Sequence, residues 1–155
     1  FFTVYGPYGR PDMALLKFAT AIDAGKPIDV YGQGEMRRDF TYVEDLVASL
    51  IAIMSRVPVA DQPVEGDSLS AVAPFRLLNV GGGRPVQLMD FIGALERAMG
   101  TKAQLNMLPM QPGDVVATEA DTALLQALVG ELPATPLDVG IEKFVAWFRD
   151  YQKNK

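Results

Sequence analysis

The sequence contains no cysteine and no histidine. This absence excludes disulfides, thiolate zinc sites, cysteine nucleophiles, Ser-His-Asp triads and the usual imidazole general base. No apolar run approaches the ~18 residues of a membrane-spanning helix, and the chain does not open with the residue order of a signal peptide. We therefore expect a soluble, cytoplasmic protein that has no membrane partner and, consistent with its lack of cysteine, resides in a reducing compartment.

Basic residues are outnumbered by acidic ones. The chain has 14 lysines and arginines against 19 aspartates and glutamates, which gives a net charge of −5 and argues against a nucleic-acid partner. An anionic ligand must therefore be bound by a few local arginines. A length of 155 residues with 49% apolar residues is sufficient for one compact unit with a real core.

Apolar periodicity predicts several helices and a few short strands. The expected helices are one with its N-cap at Asp12 that ends at Gly25, one from Glu44 with an apolar stripe of Leu46, Val47, Leu50, Ile51 and Met54, and three more over 88–99, 122–129 and 137–151. The expected strands are 1–4, 28–31, 38–43, 76–80 and 104–108, with the second and third approaching each other. Residues 58–74, with three prolines and three acids, are predicted to be a surface loop. The pattern indicates an α/β or α+β fold with too little sheet for a complete doubly wound domain.

Two neighbouring arginines, Arg37 and Arg38, precede Asp39 in an otherwise acidic chain. Alternation along a strand places them on opposite faces, so only one can point into a given site. One interpretation is a surface ion pair with Asp39 or Glu35, and the other is a guanidinium that binds a phosphate or carboxylate. The residues alone leave both open.

Two glycine-rich segments are candidates for anion binding. The loop with Gly6, Gly9 and Arg10 precedes a helix, where free amides and the helix dipole favour a negative ligand. Gly81-Gly82-Gly83 lacks the spacing of both a phosphate loop and a dinucleotide fingerprint, so we interpret it as a turn between a strand and a helix.

Several segments, taken together, resemble the extended short-chain dehydrogenase/reductases, the NAD-dependent epimerase/dehydratase family. They are Phe2-Thr3-Val4-Tyr5-Gly6-Pro7, Gly9-Arg10-Pro11-Asp12-Met13-Ala14, Tyr31-Gly32-x-Gly34 and Arg38-Asp39-Phe40-Thr41-Tyr42-Val43-x-Asp45. Within this family the second segment and the run from Met107 to Val115 are most similar to UDP-glucuronate 4-epimerases.

The resemblance implies an α/β fold in which residues 1–155 form the C-terminal, substrate-binding half of a Rossmann-type enzyme. Residues 1–4 would be the remnant of a late Rossmann strand, and the N-terminal NAD-binding part would be missing. The family's glycine-rich fingerprint and catalytic Tyr-x-x-x-Lys pair are not found; the match at Tyr151 and Lys155 lies where a helix frays, and we regard it as a coincidence.

Enzymes of this kind, the resemblance implies, oxidise carbon 4 of the sugar with bound NAD, rotate the 4-keto sugar and return the hydride to its other face. The expected reaction converts UDP-glucuronate into UDP-galacturonate, and the complete enzyme is expected to be a homodimer. This chain would bind the UDP-sugar and be inactive alone. The alternatives are a related decarboxylase, dehydratase or galactose-type epimerase, and a fragment that binds UDP-sugars without chemistry or is purely structural.

The resemblance assigns roles to residues near the N-terminus. Thr3 would contact the nucleotide sugar, Phe2 would lie beside the nicotinamide of NAD, and Arg10 would bind the glucuronate carboxylate. The start of the first helix, Met13-Ala14-Leu15, would offer backbone amides to the diphosphate.

The remaining roles concern the nucleotide. Val30 and Tyr31 would flank uracil, Arg38 would bind phosphate, and Asp114 would accept from the ribose, a role that a buried carboxylate can fill. Galactose epimerases carry an arginine where this chain has Gln111, so the diphosphate site would depend more on Arg38 and Lys17.

Overall fold

The computed structural model describes residue 1 and residues 3–154. Its helices are α1 (Ala14–Asp23), α2 (Val43–Met54), α3 (Leu88–Met99), α4 (Ala123–Val129) and α5 (Leu137–Lys153). Its strands are β1 (Val4–Tyr5), β2 (Ile28–Val30), β3 (Arg37–Arg38), β4 (Thr41–Tyr42), β5 (Val86–Gln87) and β6 (Leu105–Met107). The prediction of an α/β chain with several helices and few, short strands is confirmed.

Within residue 1 and residues 3–154, the strands form three two-stranded pairs. β1 pairs with β4 and β2 with β6, both in parallel, whereas β3 and β5 are antiparallel. The expected approach of 28–31 to 38–43 was wrong, because β2 pairs with β6 while β3 and β4 take other partners. A 3₁₀ turn at Tyr31–Gly34 separates β2 from β3.

The main hydrophobic core is built by α1, α3 and α5 around β2. Phe91 and Leu95 of α3 and Phe144 and Phe148 of α5 are buried. The predicted bounds of α3 were correct, and Gly100 ends it in the left-handed conformation that favours glycine. Among the described residues no helix combines the length and the apolar content needed to cross a membrane.

The start of the first helix differs from the prediction. Asp12 is not its N-cap, because α1 begins at Ala14 and the residue before it is Met13, which makes no side-chain capping hydrogen bond. The Asp12 carboxylate instead accepts from the Arg10 guanidinium, with 3.0 Å between Nε and Oδ1. An ion pair within the loop has replaced the expected cap.

The predicted strand at 76–80 is absent. Within residues 55–85, all of which the structure describes, there is no helix and no strand. The backbone amide of Leu77 donates to Oγ of Ser68 instead of to another strand. The guanidinium of Arg76 donates to the Asp67 carboxylate. The side chain of Val80 packs in a small second core.

The apolar stripe predicted for α2 is only partly buried. Leu46 packs against Val80 and α4, whereas the side chains of Val47, Leu50, Ile51 and Met54 are exposed. The helical period was correct, but the described residues provide no partner for this face. We call the surface of Val47, Leu50, Ile51 and Met54 the α2 face.

Candidate functional site

A cavity of about 600 Å³ lies beside the N-terminal loop. It is lined by four of the predicted ligand-binding residues, Thr3, Arg10, Met13 and Arg38. A volume of this size is typical of a small-molecule site. A smaller adjoining pocket adds Ala14 and Leu15, so residues from the loop, α1 and β3 converge on one place.

Arg10 lies at the exposed rim of this cavity. Its guanidinium pairs with Asp12 and thereby holds the pKa of that carboxyl below its usual range. The loop that carries Arg10 is braced by Tyr8, which has a φ of 60° and packs its ring 5.3 Å from that of Trp147 in α5. Because the partner of Arg10 is itself exposed, an incoming carboxylate can replace it.

Arg38 is half-buried and lines the cavity, whereas its neighbour Arg37 is exposed. Nη1 of Arg38 donates to the carbonyl oxygens of Arg37 and Val116, at 2.9 and 3.3 Å. These bonds take the place of the ion pair with Asp39 or Glu35 that the sequence left open. Of the two neighbouring arginines, Arg38 is the one that lines the cavity.

Thr3 and the start of α1 form the wall near the chain's beginning. The carbonyl oxygen of Thr3 accepts from the amide of Thr41, 2.9 Å away, which fixes this segment beside β4. The side chain of Leu15 is buried in the core, so Leu15 can offer a ligand only its backbone. Phe2, the predicted nicotinamide contact, lies outside the described residues.

The residues predicted to bind the nucleoside lie apart from this cavity. Val30 is fully buried, so its side chain is not open to uracil. Its carbonyl oxygen accepts from the amide of Leu108 at 2.8 Å. Tyr31 is half-buried in the turn after β2. Their segment is therefore positioned by pairing with β6.

Asp114 and Gln111 are exposed and lie in one turn, in which the Asp114 amide donates to the Gln111 carbonyl oxygen at 3.1 Å. The assignment of Asp114 to the ribose stays a prediction, and its carboxylate is exposed in this structure. Lys17 is also exposed, and within the described residues it does not line the cavity of Arg10 and Arg38.

The glycine turn contacts the buried carboxylate of Asp39. Asp39 is fully buried, and its Oδ2 accepts from the amides of Gly83 and Ala120, both at 3.0 Å. Gly81 and Gly82 lie close against this carboxylate. A Cβ added at Gly81 would lie 3.0 Å from Oδ2 of Asp39, and one added at Gly82 would lie 2.7 Å from Oδ1. A turn was predicted here, but the residues before it are not a strand, and the amide of Gly83 donates to a side chain of this chain.

Two residues of the site were not identified from the sequence. Thr118 lines the cavity and follows Asp114 by four positions, in a segment whose sequence carries no recognised motif. Asp39 was considered only as an ion-pair partner, although its place inside the Arg-Asp-Phe motif was a signal. A second cavity, of about 520 Å³, lies beside α2 and α4 and, in the described part of the chain, is lined by none of the predicted site residues.

Comparisons with known proteins show what the sequence and the fold are similar to. The family described as "NAD dependent epimerase/dehydratase family" matches residues 1–64. A probable UDP-glucuronate 4-epimerase of Rhizobium meliloti is 52% identical over 153 residues, which cover 96% of this chain and 45% of that protein. The chain is therefore similar to proteins of the NAD-dependent epimerase/dehydratase family, by its N-terminal 64 residues and by its identity to this relative. The chain spans about half the length of the curated relatives it matches.

Solved structures of the epimerase/dehydratase family share the fold. UDP-glucuronic acid 4-epimerase from Bacillus cereus, in complex with UDP-glucuronic acid and NAD, matches with a TM-score of 0.79 and 29% identity. The match covers 97% of this chain and 44% of that one. MoeE5, in complex with UDP-glucuronic acid and NAD, matches with the same TM-score and 31% identity, over 97% of this chain and 46% of its own. The fold is thus the α/β fold of the extended short-chain dehydrogenase/reductases.

Proposed function

We propose that this chain forms the nucleotide-sugar-binding part of an NAD-dependent UDP-glucuronate 4-epimerase, which interconverts UDP-glucuronate and UDP-galacturonate through a 4-keto intermediate. The observation that carries the proposal is the cavity in which Arg38 and Arg10 stand at separate positions beside Thr3. A UDP-uronate carries a diphosphate and a sugar carboxylate, two separate anionic groups. Two arginines in one cavity of an acidic chain fit such a ligand.

The two arginines differ in ways that suit these two groups. Arg38 is half-buried and tied to backbone carbonyl oxygens, so its position is fixed for a group common to every UDP-sugar. Arg10 lies in a loop and pairs with the exposed side chain of Asp12, a partner that the carboxylate of one particular sugar can replace. We assign the diphosphate to Arg38, with the amides of Ala14 and Leu15, because the Met13 amide already donates to the Arg10 carbonyl oxygen at 3.2 Å. We assign the carboxylate to Arg10, with Thr3 beside the sugar.

The described residues do not by themselves fit a dinucleotide. The amide of Gly83 is bonded to Asp39, so the glycine turn does not offer a free set of donors to a pyrophosphate. We therefore place the NAD chemistry in the part of the epimerase that its relatives have beyond this chain's length. The role of this chain's residues is to bind the UDP-sugar and retain its diphosphate while the sugar turns.

Calorimetric titration of the 155-residue chain with UDP, UDP-glucuronate and UDP-glucose tests these assignments. Arg38→Ala should weaken all three ligands by about tenfold to a hundredfold, the usual effect of losing a charged hydrogen bond. Arg10→Ala should weaken UDP-glucuronate far more than UDP-glucose. Arg37→Ala is the matched control, because Arg37 is adjacent but exposed, and it should leave all three affinities unchanged.

Three results would contradict the proposal. The first is that the chain binds none of the ligands. The second is that Arg38→Ala leaves the affinity for UDP unchanged. The third is that Arg10→Ala lowers the affinities for UDP-glucuronate and UDP-glucose by the same factor. In a complete enzyme, product analysis separates the alternatives, because an epimerase retains the carboxylate and a decarboxylase releases carbon dioxide.

A further inference from the structure

The buried carboxylate of Asp39 makes bonds to segments that are far apart in the chain. Its Oδ2 accepts from the amides of Gly83 and Ala120 at 3.0 Å, and its own amide donates to Oγ1 of Thr118 at 3.4 Å. Asp39 therefore connects β3, the glycine turn and the segment that contains Thr118 and Ala120.

The segment at 116–120 is held along β3 by further bonds. The Arg37 amide donates to the Val116 carbonyl oxygen at 2.9 Å, and the Thr118 amide donates to the Arg37 carbonyl oxygen at 3.2 Å. The same Val116 oxygen accepts from Nη1 of Arg38 at 3.3 Å. The position of the Arg38 guanidinium thus depends on this segment. Asp39 holds the other end of the segment by accepting from the amide of Ala120.

Close packing of glycine keeps the carboxylate in place. An added Cβ at Gly82 would lie 2.7 Å from Oδ1 of Asp39 and 3.0 Å from the carbonyl oxygen of Phe40. A contact under 3.0 Å requires something to move, and the atoms around a fully buried side chain leave little space for movement. The turn at Gly81 to Gly83 thus acts as a wall that fixes the direction of the Asp39 side chain.

We propose that Asp39 is a positioning residue that orients Arg38 toward the diphosphate of the ligand, by holding the 116–120 segment and the glycine turn against β3. This inference rests on the proposed function, in which Arg38 binds the diphosphate. Asp39 does not touch the ligand, because it is fully buried. Its effect is on a ligand that has phosphates and not on the nucleoside alone.

Titrations of the 155-residue chain with UDP and with uridine, followed by NMR, test the proposal. Asp39→Ala should weaken UDP about tenfold or more while the affinity for uridine changes less than threefold, because only the phosphate contact is displaced. Asp39→Asn keeps an oxygen acceptor and should retain more of the UDP affinity than Asp39→Ala. In the Arg38→Ala background, Asp39→Ala should cause no further loss.

Gly82→Ala provides an independent variant that keeps the carboxylate but displaces it, and it should also lower the affinity for UDP selectively. Gly93→Ala is its control, because a Cβ there lies at an ordinary 3.5 Å from Nη1 of Arg97. If Asp39→Ala does not fold, Gly82→Ala and Asp39→Asn carry the test. Equal losses for UDP and uridine, or additive losses with Arg38→Ala, would overturn the proposal.

The test separates this inference from the proposed function. UDP binding that depends on Arg38 but is unchanged in the Asp39 and Gly82 variants overturns the positioning role alone. UDP binding that is absent, or independent of Arg38, overturns the proposed function together with the positioning role.

Discussion

At the scale of single residues, the Asp67 carboxylate is held in its ionised form by Arg76. The two side chains are joined by two bonds of 2.7 Å, and their exposed fractions are only 2% and 6%. Asp67 also accepts from the amides of Val64 and Leu69. The hydrogen bond from Arg76, with these amides, lowers the Asp67 pKa to about 2.

A lowered pKa has a definite consequence for stability. Because an unfolded aspartate titrates near ~3.9, the stabilisation from Asp67 is fully present above that pH and is lost as the pH falls through about 2. We expect an NMR titration of the Asp67 carboxyl to show this low pKa and Arg76→Gln to return it toward the ordinary value. Arg56→Gln removes one positive charge elsewhere and should leave the Asp67 pKa unchanged. A normal pKa for Asp67 in the unmodified chain would contradict the ion pair.

Residue-level prediction from sequence succeeded where a local pattern carried the information. Alternation in β3 identified that only one of Arg37 and Arg38 can enter a site, and Arg38 does line the cavity. It failed where the environment is set by distant segments: the bonds of Asp39 to Gly83 and Ala120 depend on how residues 39, 83 and 120 meet. The roles assigned to the site residues stay predictions.

At the scale of elements, helix α2 presents two faces that we expect to behave differently. The side chain of Leu46 is buried, whereas Ile51 and Met54 on the α2 face are 64% and 78% exposed. Leu46→Ala should lower the free energy of unfolding by about 2–4 kcal/mol, while Ile51→Lys and Met54→Lys should change it by less than about 0.5 kcal/mol. Chemical denaturation measures both effects.

The same lysine variants test what covers the α2 face. An exposed apolar patch favours association, so the unmodified chain should self-associate with rising concentration and the variants should remain monomeric in light scattering. A monomeric chain with no dye-binding surface would contradict this expectation. A loss of stability in Ile51→Lys as large as that in Leu46→Ala would show that the α2 face is buried.

The elements also show which parts of the fold the sequence determines locally. The period of α3 and the glycine after it give its bounds, because both signals act within a few residues. The segment at 76–80 has the composition of a strand but forms none, since a strand needs a partner and both the amide and the carbonyl group of Leu77 are bonded to the Ser68 hydroxyl. Periodicity in α2 likewise identifies an apolar face without identifying what covers it.

At the scale of the whole molecule, the distribution of cations and free amides predicts selectivity among nucleotides. The cavity with Arg38 and Arg10 offers charge to a diphosphate, and the turn at Tyr31 lies at the end of a separate strand pair, where the family resemblance places the base. The glycine turn has its amide at Gly83 bonded to Asp39 and is not a dinucleotide cradle. UDP should therefore bind this chain more tightly than NAD.

Parallel titrations with UDP, ADP and NAD measure this selectivity. ADP shares the diphosphate of UDP and differs in its base, so it separates charge recognition from base recognition. We expect UDP to bind at least about tenfold more tightly than ADP or NAD, a difference of about 1.4 kcal/mol. Equal affinity for UDP and ADP would show that Arg38 acts as a general anion site and that Tyr31 does not recognise uracil. Tight binding of NAD would contradict the placement of the cofactor outside this chain, since the only NAD contact that the sequence predicts here is Phe2.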